Sequence, residues 1–490
     1  MRTRRPRLLA GLLMLATAAP WLAGCETAPA TGRTFFTGGL SADSELALGR
    51  QEHEKIVPQF GGVYDDPDLA AYVSSIGQLL ARTSETPDLT FTVTVLDTPI
   101  VNAFALPGGY VYVTRGLMAL ADNEAELAGV LAHEIGHVTA RHSAERYGQQ
   151  MAAGLAGLGL GILTGSNAVA RAVGTGSTLA IRSFSREQEF EADLLGIRYM
   201  TRAGYDPGAV ASFLAKLDAE SRLDAELRGR PGRADEFNIM STHPRTRDRV
   251  AAAVQRAGVT AVRDPMTARD IYLGKIDGML YGDDPEQGFI RGRRFLHPKL
   301  RFAFEVPEGF RLFNSSRAVT ARGPEGATIV FSAAQRPSTL PMPLYLSRVW
   351  AQGVDLAGVE AIVINGMAAA TGLTRLNTSQ GPREVRLVAI RYDPKTIYRM
   401  MFLTPPALSG PLNLPLRRTT YSFRRLGAAE AARLKPLRLR VVTVKPGDTV
   451  HTLAARMAFD DYQAPRFRVL NGLSETDRLK VGQKVKIITE

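Results

Sequence analysis

One stretch, residues 130–138 with the sequence VLAHEIGHV, constrains this chain more than any other. On a helix with 3.6 residues per turn, His133 and His137 project from the same face, so one ring nitrogen of each can reach a single metal ion. Glu134 lies one position round the helix, where its carboxylate can take a proton from a metal-bound water without binding the metal. The stretch predicts a helical zinc site with a general base beside it.

The flanking residues favour a half-buried helix around this motif. Asp122 is a candidate N-cap, and Glu124 and Glu126 would lie at the positive end of the helix dipole. A five-residue motif alone arises by chance in many chains, but here apolar residues recur at helical spacing around it. These are Leu127, Val130, Leu131, Ile135 and Val138.

A second stretch, residues 185–193 with the sequence SREQEFEAD, offers the third protein ligand that a catalytic zinc needs. Glu189 and Asp193 form an i, i+4 pair on a predicted helix. We predict that Glu189 binds the metal. We also predict that Asp193 contributes to catalysis as an acceptor that fixes the orientation of a ligand. Without the first motif, the acidic run would indicate only a solvated helix face.

Three stretches in this order, NAFALPGGYVYV (102–113), HEIGH (133–137) and EFEAD (189–193), resemble the gluzincin metallopeptidases of family 48. This group includes CAAX prenyl endopeptidase, HtpX and BepA, and the resemblance covers residues 41–260. It implies a mainly helical, zincin-type domain with a small edge sheet. It also implies that an extended substrate pairs with a strand edge, either at 102–106 or at 110–114.

The same resemblance implies a ligand set and roles for individual residues. One Zn²⁺ per chain would be held by His133, His137 and Glu189, with Glu134 as the base. The element STHP at 241–244, followed by Arg249, resembles a feature of the periplasmic family members. It implies that His243 can be a fourth, inhibitory ligand. The alternative is that His243 caps the following helix, and Arg249 either holds a carboxylate of the site or forms a helix salt bridge.

The N-terminus predicts export. Four arginines precede an apolar run at 8–22 that ends in LAGC, which is typical of a signal peptide and short for a membrane span. The ending resembles a bacterial lipobox, which implies that Cys25, the single cysteine, is lipidated and starts the mature chain. Glu26 after it favours the outer membrane over the inner. We predict that residues 25–40, rich in Thr, Gly, Ala and Pro, form a tether.

The composition sets outer limits. With 490 residues and 45% hydrophobic content, the chain can form two or three domains with proper cores. The net charge of +12 indicates either an anionic surface as partner or the arginine bias of a GC-rich genome. No nucleic-acid motif accompanies it. The apolar run within 151–180 is shorter than the roughly 20 residues that cross a bilayer, so we predict a packed helical hairpin there.

The remaining chain predicts two further modules. Helical spacing predicts helices at 41–60, 67–83 and 209–227, while alternation predicts a strand at 90–96. From residue 282 to 430, alternating strands indicate an antiparallel α+β domain, a recognition or spacing domain with no evident catalytic set.

The last segment, 431–490, contains a linker and then PGDT, LNGL and VGQKVKI, which resemble a LysM domain. The resemblance implies a βααβ unit that binds N-acetylglucosamine-containing glycans such as peptidoglycan, unless the fold is kept only as a structural cap. Lys480, Lys484 and Lys486 would suit an anionic cell wall.

The sequence thus predicts an α+β protein divided into a signal peptide (1–24), a tether (25–40), a zinc metallopeptidase domain (41–281), an α+β domain (282–430) and a linker with a LysM-like domain (431–490). The predicted function is a lipid-anchored endopeptidase of the cell envelope that cleaves misfolded or misassembled envelope proteins. One alternative is a chaperone or assembly factor for outer-membrane proteins in which His243 keeps the zinc closed. A wall-binding scaffold with a vestigial core is disfavoured, because all four site residues are present.

Overall fold

The computed structural model describes residues 25–152, 184–227, 262–315, 318–378 and 381–490, together with positions 243, 249, 252 and 255. The predicted signal peptide and most of the helical hairpin expected at 151–180 lie outside these residues. The chain divides into two compact units, one formed by residues 1–58, 62–281 and 438–489 and the other mainly by residues 282–437.

The first unit contains the stretches that carry the predicted metal ligands. Its helices, within the described residues before position 282, are α1 (Ala42–Gln59), α2 (Pro67–Arg82), α3 (Arg115–Leu120), α4 (Glu124–Thr139), α5 (Arg186–Arg202), α6 (Gly208–Leu227) and α7 (Arg269–Ile276). Residues 142–152 are also helical. Its strands in the same part are β1 (Cys25–Thr27), β2 (Thr34–Phe36), β3 (Thr92–Leu96), β4 (Ala103–Leu106), β5 (Tyr110–Thr114) and β6 (Leu280–Tyr281).

Three strands form the small sheet beside α4. Their order is β3-β5-β4, with β3 parallel and β4 antiparallel to the central strand β5. The turn between β4 and β5 contains Gly108 and Gly109, whose φ angles of 78° and 86° favour glycine. Two segments were candidates for the edge that pairs with substrate, 102–106 and 110–114. The strand order places β4, in the first segment, at an edge of the sheet and β5, in the second, in the middle.

The predicted tether is wrong over much of its length. Strands β1 and β2 pair as an antiparallel hairpin, with Cys25 opposite Phe36. Ala28 and Phe35 are buried in a small cluster with Leu40 and Ala144. The Thr/Gly/Ala composition is typical of a linker. The segment is nevertheless folded, because its few apolar side chains pack against other residues of the first unit.

The second unit is built on a seven-stranded antiparallel sheet, in the order β10-β11-β12-β16-β15-β14-β13, and a four-stranded sheet, in the order β17-β9-β8-β7. The strands are β7 (Phe289–Arg291), β8 (Arg294–His297), β9 (Phe302–Glu305), β10 (Arg311–Asn314), β11 (Val319–Arg322), β12 (Thr328–Ala333), β13 (Ala357–Ile364), β14 (Met367–Thr378), β15 (Gly381–Arg391), β16 (Ile397–Thr404) and β17 (Arg424–Arg425). The helices are α8 (Met342–Tyr345), continued by a π-turn (Leu346–Trp350), α9 (Ser409–Ser422) and α10 (Ala428–Arg433).

The C-terminal module returns to the first unit. It consists of β18 (Leu437–Thr443), α11 (Val450–Ala454), α12 (Gln463–Leu470) and β19 (Lys484–Thr489), which is the predicted βααβ order. Strand β18 pairs antiparallel with β19 on one side and lies next to β6 on the other. The predicted α+β class is confirmed, with the helical domain, the antiparallel sheets and the βααβ module in the expected sequence.

None of the helices in the described residues combines the length and the hydropathy that crossing a bilayer requires.

Candidate metal centre

Helix α4 presents the first motif, and its start is set by local sequence. The side chain of Asn123 accepts a hydrogen bond from the backbone N–H of Glu126 at 2.9 Å, so Asn123 is the N-cap. The prediction of Asp122 as the cap is wrong. Asp122 instead turns its carboxylate to the buried ammonium groups of Lys216 and Lys486. The helix ends at Thr139 with Ala140 as its C-cap, after which Arg141 adopts a left-handed φ of 55°.

Helix α5 crosses α4 closely at two glycines. A Cβ atom on Gly196 would lie 3.1 Å from the backbone nitrogen of His133, and one on Gly136 would lie 3.1 Å from the carbonyl oxygen of Ala192. Because these positions lack side chains, the two backbones can approach each other. The crossing brings Glu189 and Asp193 of α5 up to the histidines of α4.

Four ligand atoms, from His133, His137, Glu189 and His243, all lie within 4.8 Å of one another. Nε2 of His133 is 3.1 Å from Nε2 of His137 and 3.2 Å from Nδ1 of His243. Each Nε2 of the α4 pair is 3.6 Å from an oxygen of Glu189. A tetrahedral shell of ligands at about 2.0–2.1 Å from zinc has edges of roughly 3.4 Å. The set therefore fits one zinc ion.

The outer nitrogens of the two α4 histidines support the same conclusion. Nδ1 of His133 lies 2.9 Å from Oδ1 of Asp193, and Nδ1 of His137 lies 2.8 Å from Nδ1 of His142. With each Nδ1–H donating outward, both Nε2 atoms turn lone pairs toward the same point, where only a cation is favourable. Burial would raise the pKa of Asp193, but Arg249 and His133 outweigh it and lower this pKa to about 2.

Glu134 lies beside the ligands without belonging to them. It is fully buried, and neither of its oxygens has a hydrogen bond among the described residues. Oε1 is 3.4 Å from Nε2 of His243. Burial raises the pKa of Glu134, although His243 and His133 oppose the shift. Two buried, unsatisfied carboxylate oxygens next to a metal-ligand set suit a base that acts on a water at that set.

His243 and Arg249 come from a later segment and both reach the centre. Nδ1 of His243 lies 2.9 Å from Oε1 of Glu189, so the ring enters the ligand set itself. The guanidinium of Arg249 donates from Nε and Nη2 to the two oxygens of Asp193 at 2.7 and 2.8 Å. Its Nη1 is 2.6 Å from Oε2 of Glu189. Two interpretations of Arg249 were open. These contacts favour the one in which Arg249 binds carboxylates of the site over the one in which it forms a helix salt bridge.

A cavity of about 50 Å³ opens beside the centre. Its lining combines five polar residues of the centre with mostly apolar residues of α4 and α6. The polar residues are His133, Glu134, Asp193, His243 and Arg249, and the others are Glu126, Gly129, Val130, Val210, Phe213, Leu214 and Leu217. Helix α6 supplies the larger apolar side chains. The arrangement can accept an apolar side chain next to a polarising centre.

Three contacts of the centre escaped the sequence analysis. Nδ1 of His142 lies 2.8 Å from Nδ1 of His137, Glu191 lies 2.9 Å from His142, and the ring of Phe184 stacks on His137 with centroids 3.9 Å apart. His142 follows His137 by five residues, a spacing that does not share a helix face. It returns to the site because the helix ends and the left-handed Arg141 reverses the chain. Glu191 was visible as a third acidic residue of the second motif.

Comparison with known proteins agrees with this geometry. Residues 67–257 match the description of peptidase family M48, and residues 442–487 match that of the LysM domain. The beta-barrel assembly-enhancing protease of Escherichia coli is 34% identical over 251 residues, which cover 48% of this chain and 50% of that protein. The chain thus spans about half the length of this relative.

A second relative is matched over more of its own length. The mitochondrial metalloendopeptidase OMA1 of Schizosaccharomyces pombe is 30% identical over 254 residues, covering 51% of this chain and 71% of that protein. These matches confirm the resemblance inferred from the three stretches. With its zinc-type donor set in the matched region, this chain belongs to peptidase family M48.

Proposed function

We propose that the protein is a zinc-dependent endopeptidase of the bacterial cell envelope. The observation that carries this proposal is the convergence of ligand atoms from His133, His137 and Glu189 next to the unsatisfied carboxylate of Glu134. This is the donor set of a hydrolytic zinc site with two His, one Glu and an adjacent base.

The chain's own residues would divide the chemistry as follows. Zinc, when bound, lowers the pKa of a coordinated water to about 7 and polarises a carbonyl. Glu134 would take the proton from the attacking water and return it to the leaving amine, because its buried carboxylate lies beside the ligand set. Asp193 keeps the ring of His133 oriented, and Arg249 neutralises Asp193 and Glu189.

Substrates would bind in an extended form. Among the described strands, β4 has β5 on one side and no neighbour on the other. An unfolded segment that pairs with β4 through main-chain hydrogen bonds would run beside Glu134, with an apolar side chain in the cavity lined by α6. Binding of this kind imposes little side-chain specificity, which suits misfolded clients.

We propose that His243 regulates access. Its Nδ1 lies among the other ligand atoms, and its Nε2 faces Glu134. In this position the imidazole takes the place that a hydrolytic water needs and contacts the base at the same time. Withdrawal of His243 would open the site.

We further propose the cellular setting. Cys25 is exposed at the start of β1, where acyl chains could attach, and the outer membrane is the favoured address. The E. coli relative is named a beta-barrel assembly-enhancing protease, and the LysM match fits peptidoglycan. Misfolded or misassembled envelope proteins are then the substrates, and the 282–430 domain serves recognition or spacing.

Casein digestion tests the hydrolytic proposal. We expect that His243→Ala cleaves casein faster than the wild type, and that Glu134→Gln retains zinc but loses at least about a hundredfold in rate. Glu54→Gln, an exposed change on α1, is the matched control and should behave as the wild type. If zinc-loaded wild type and His243→Ala are both inert, the endopeptidase proposal is wrong.

The same experiment weighs the second candidate, a chaperone or assembly factor with a closed zinc. The position of His243 inside the ligand set favours this candidate over a vestigial scaffold. Inert but zinc-loaded protein that still suppresses aggregation of an unfolded client would support it.

Glycan binding has its own test. Retention of the full chain on peptidoglycan should fall when soluble N-acetylglucosamine oligomers compete. Unchanged retention would indicate that the LysM domain serves as a structural part only.

A further inference from the structure

Behind His137, a chain of hydrogen bonds and ion pairs leads away from the candidate metal centre. It runs from His137 to His142, then to Glu191 of α5 and on to Arg33 of the β1–β2 hairpin. The successive distances are 2.8, 2.9 and 3.3 Å. His142 is fully buried, and among the described residues His137 is its one contact within the ligand set.

The chemistry of the chain fixes its direction. If Nε2 of His137 presents its lone pair to the metal, its Nδ1 carries the proton and donates it to Nδ1 of His142. His142 is then the acceptor at Nδ1 and must carry its own proton on Nε2. That atom faces Oε2 of Glu191, a carboxylate oxygen that can only accept. Every donor therefore meets an acceptor with His142 neutral.

The far end of the chain is anchored. Both terminal nitrogens of Arg33 donate to the carboxylate of Glu145 at 2.7 Å, and the side-chain amide of Gln188 donates to the same carboxylate at 2.7 Å. Glu191 is thus held next to a paired guanidinium on the N-terminal hairpin. This support uses none of the residues that orient His133, which depends on Asp193 and Arg249.

We propose that His142 is a positioning residue for the metal centre, which holds the His137 ring in the tautomer and orientation that present Nε2 to the zinc ion. The proposal rests on the zinc site of the proposed function. Phe184, stacked on one face of the His137 ring, limits tilting but cannot choose the tautomer. That choice belongs to the hydrogen-bond acceptor at Nδ1, which His142 provides.

Two substitutions separate this role from packing. In His142→Asn, the side-chain carbonyl oxygen stands near the former Nδ1 position and can accept from His137, although the smaller side chain leaves a void. His142→Leu fills the space but offers no acceptor. A positioning role predicts that Asn retains zinc better than Leu, whereas a packing role predicts the reverse order.

The test measures zinc release from the full chain to a colorimetric chelator. We expect His142→Leu to release zinc at least about tenfold faster than the wild type, with His142→Asn close to the wild type. Glu191→Leu should fall between them. His297→Gln, a change at a buried histidine of the second unit, is the control and should leave release unchanged. Thermal unfolding of each variant shows whether it is folded.

A second readout is the ring nitrogen spectrum of the zinc-loaded chain, labelled with ¹⁵N at its 7 histidines. We expect His142 to appear as the neutral tautomer with its proton on Nε2. Wild type that binds no zinc would overturn the proposed function and this inference together. Zinc-loaded wild type with a proton on Nδ1 of His142, or with Leu retaining zinc as well as Asn, would overturn the inference alone.

Discussion

Arg249 lies between two buried carboxylates. The burial of these groups determines how much stability the protein would lose if the guanidinium were removed. Its side chain is 2% exposed and pairs with Asp193 and Glu189, which are 10% and 1% exposed. Removal of one partner from a buried ion pair leaves uncompensated charge in a medium that solvates it poorly. This cost sets Arg249 apart from the many surface arginines of the chain.

We therefore expect Arg249→Met to lower the free energy of unfolding by about 3–5 kcal/mol in urea denaturation of the zinc-free chain. The matched change is Arg198→Met, which removes a guanidinium that is 46% exposed and lies 3.0 Å from Glu85. That variant should lose less than about 1 kcal/mol. Equal losses for the two variants would contradict the role assigned to burial.

Asp122 offers a pH-dependent test at the same scale. Burial would raise its pKa, but Lys486 and Lys216 outweigh it and lower the pKa from 3.8 to about 2. A carboxylate with a lowered folded-state pKa stabilises the protein above its unfolded pKa, and this contribution is lost as pH falls through the folded value. The shift corresponds to about 2 kcal/mol, which is fully present above about pH 5 and is lost progressively as pH falls to below about 2.

We expect Asp122→Asn to be less stable than the wild type at pH 6, and the difference in unfolding free energy should shrink by about 2 kcal/mol toward pH 2. Asp270→Asn is the control. Asp270 is 74% exposed, and its ion pair with Lys484 spans 3.5 Å at the surface. Its difference from the wild type should stay small at all pH values. A constant penalty for Asp122→Asn would show that the carboxylate is not held ionised by the two lysines.

At the scale of elements, the position of the β4 edge depends on how α1 packs on the β4–β5 turn. A Cβ atom on Gly49 of α1 would lie 2.0 Å from the carbonyl oxygen of Pro107 and 2.9 Å from the ring of Tyr110. Gly274 of α7 is also helical, but a Cβ atom there would meet nothing within 4 Å. The two glycines differ in surroundings and share their conformation.

Alanine at these two positions should therefore change the free energy of unfolding in opposite directions. Gly274→Ala should raise the free energy of unfolding by about 0.5–1 kcal/mol, because alanine is the better helix former. Gly49→Ala gains the same propensity but forces α1 off the turn, and should lower stability by about 1–3 kcal/mol. Thermal denaturation of both variants decides the matter, and stabilisation by Gly49→Ala would refute the close contact.

The whole molecule shows the LysM domain as part of the first unit. Lys486 of β19 is fully buried, and its ammonium group donates to the carbonyl oxygens of Ala119, Leu120 and Ala121 at 2.8, 3.0 and 2.6 Å. These residues, with Asp122, lie just before helix α4, which carries His133 and His137. The prediction that Lys486 suits the cell wall is therefore wrong, because its charge is spent inside the protein.

Substitution on strand β19 can separate the two possible uses of its lysines. Lys486→Met should lower the free energy of unfolding by about 3 kcal/mol or more, since three carbonyl groups and Asp122 lose a buried partner. Lys484→Met, two residues away and with 39% of its side chain exposed, should cost less than about 1 kcal/mol. Chemical denaturation of the full chain measures both. A Lys486→Met protein as stable as the wild type would mean that the domain is not joined through this contact.

The sequence by itself determined the elements that periodicity and spacing control. The helix predicted at 67–83 is Pro67–Arg82, the strand at 90–96 contains β3, and the βααβ module appears as expected. Positions 133, 134, 137 and 189 stood out because helical geometry ties spacing to direction, so i and i+4 donors share a face. These are local consequences of backbone geometry.

Only the tertiary structure decided which distant groups meet. Asn123 rather than Asp122 caps α4, because two lysines from elsewhere in the chain claim the carboxylate of Asp122. His142 reaches His137 because the chain turns at Arg141, and residues 25–36 fold as a hairpin whose apolar side chains pack against Leu40 and Ala144. The spacing of residues along the chain does not predict such contacts, because burial and charge pairing depend on packing between segments that are remote in sequence.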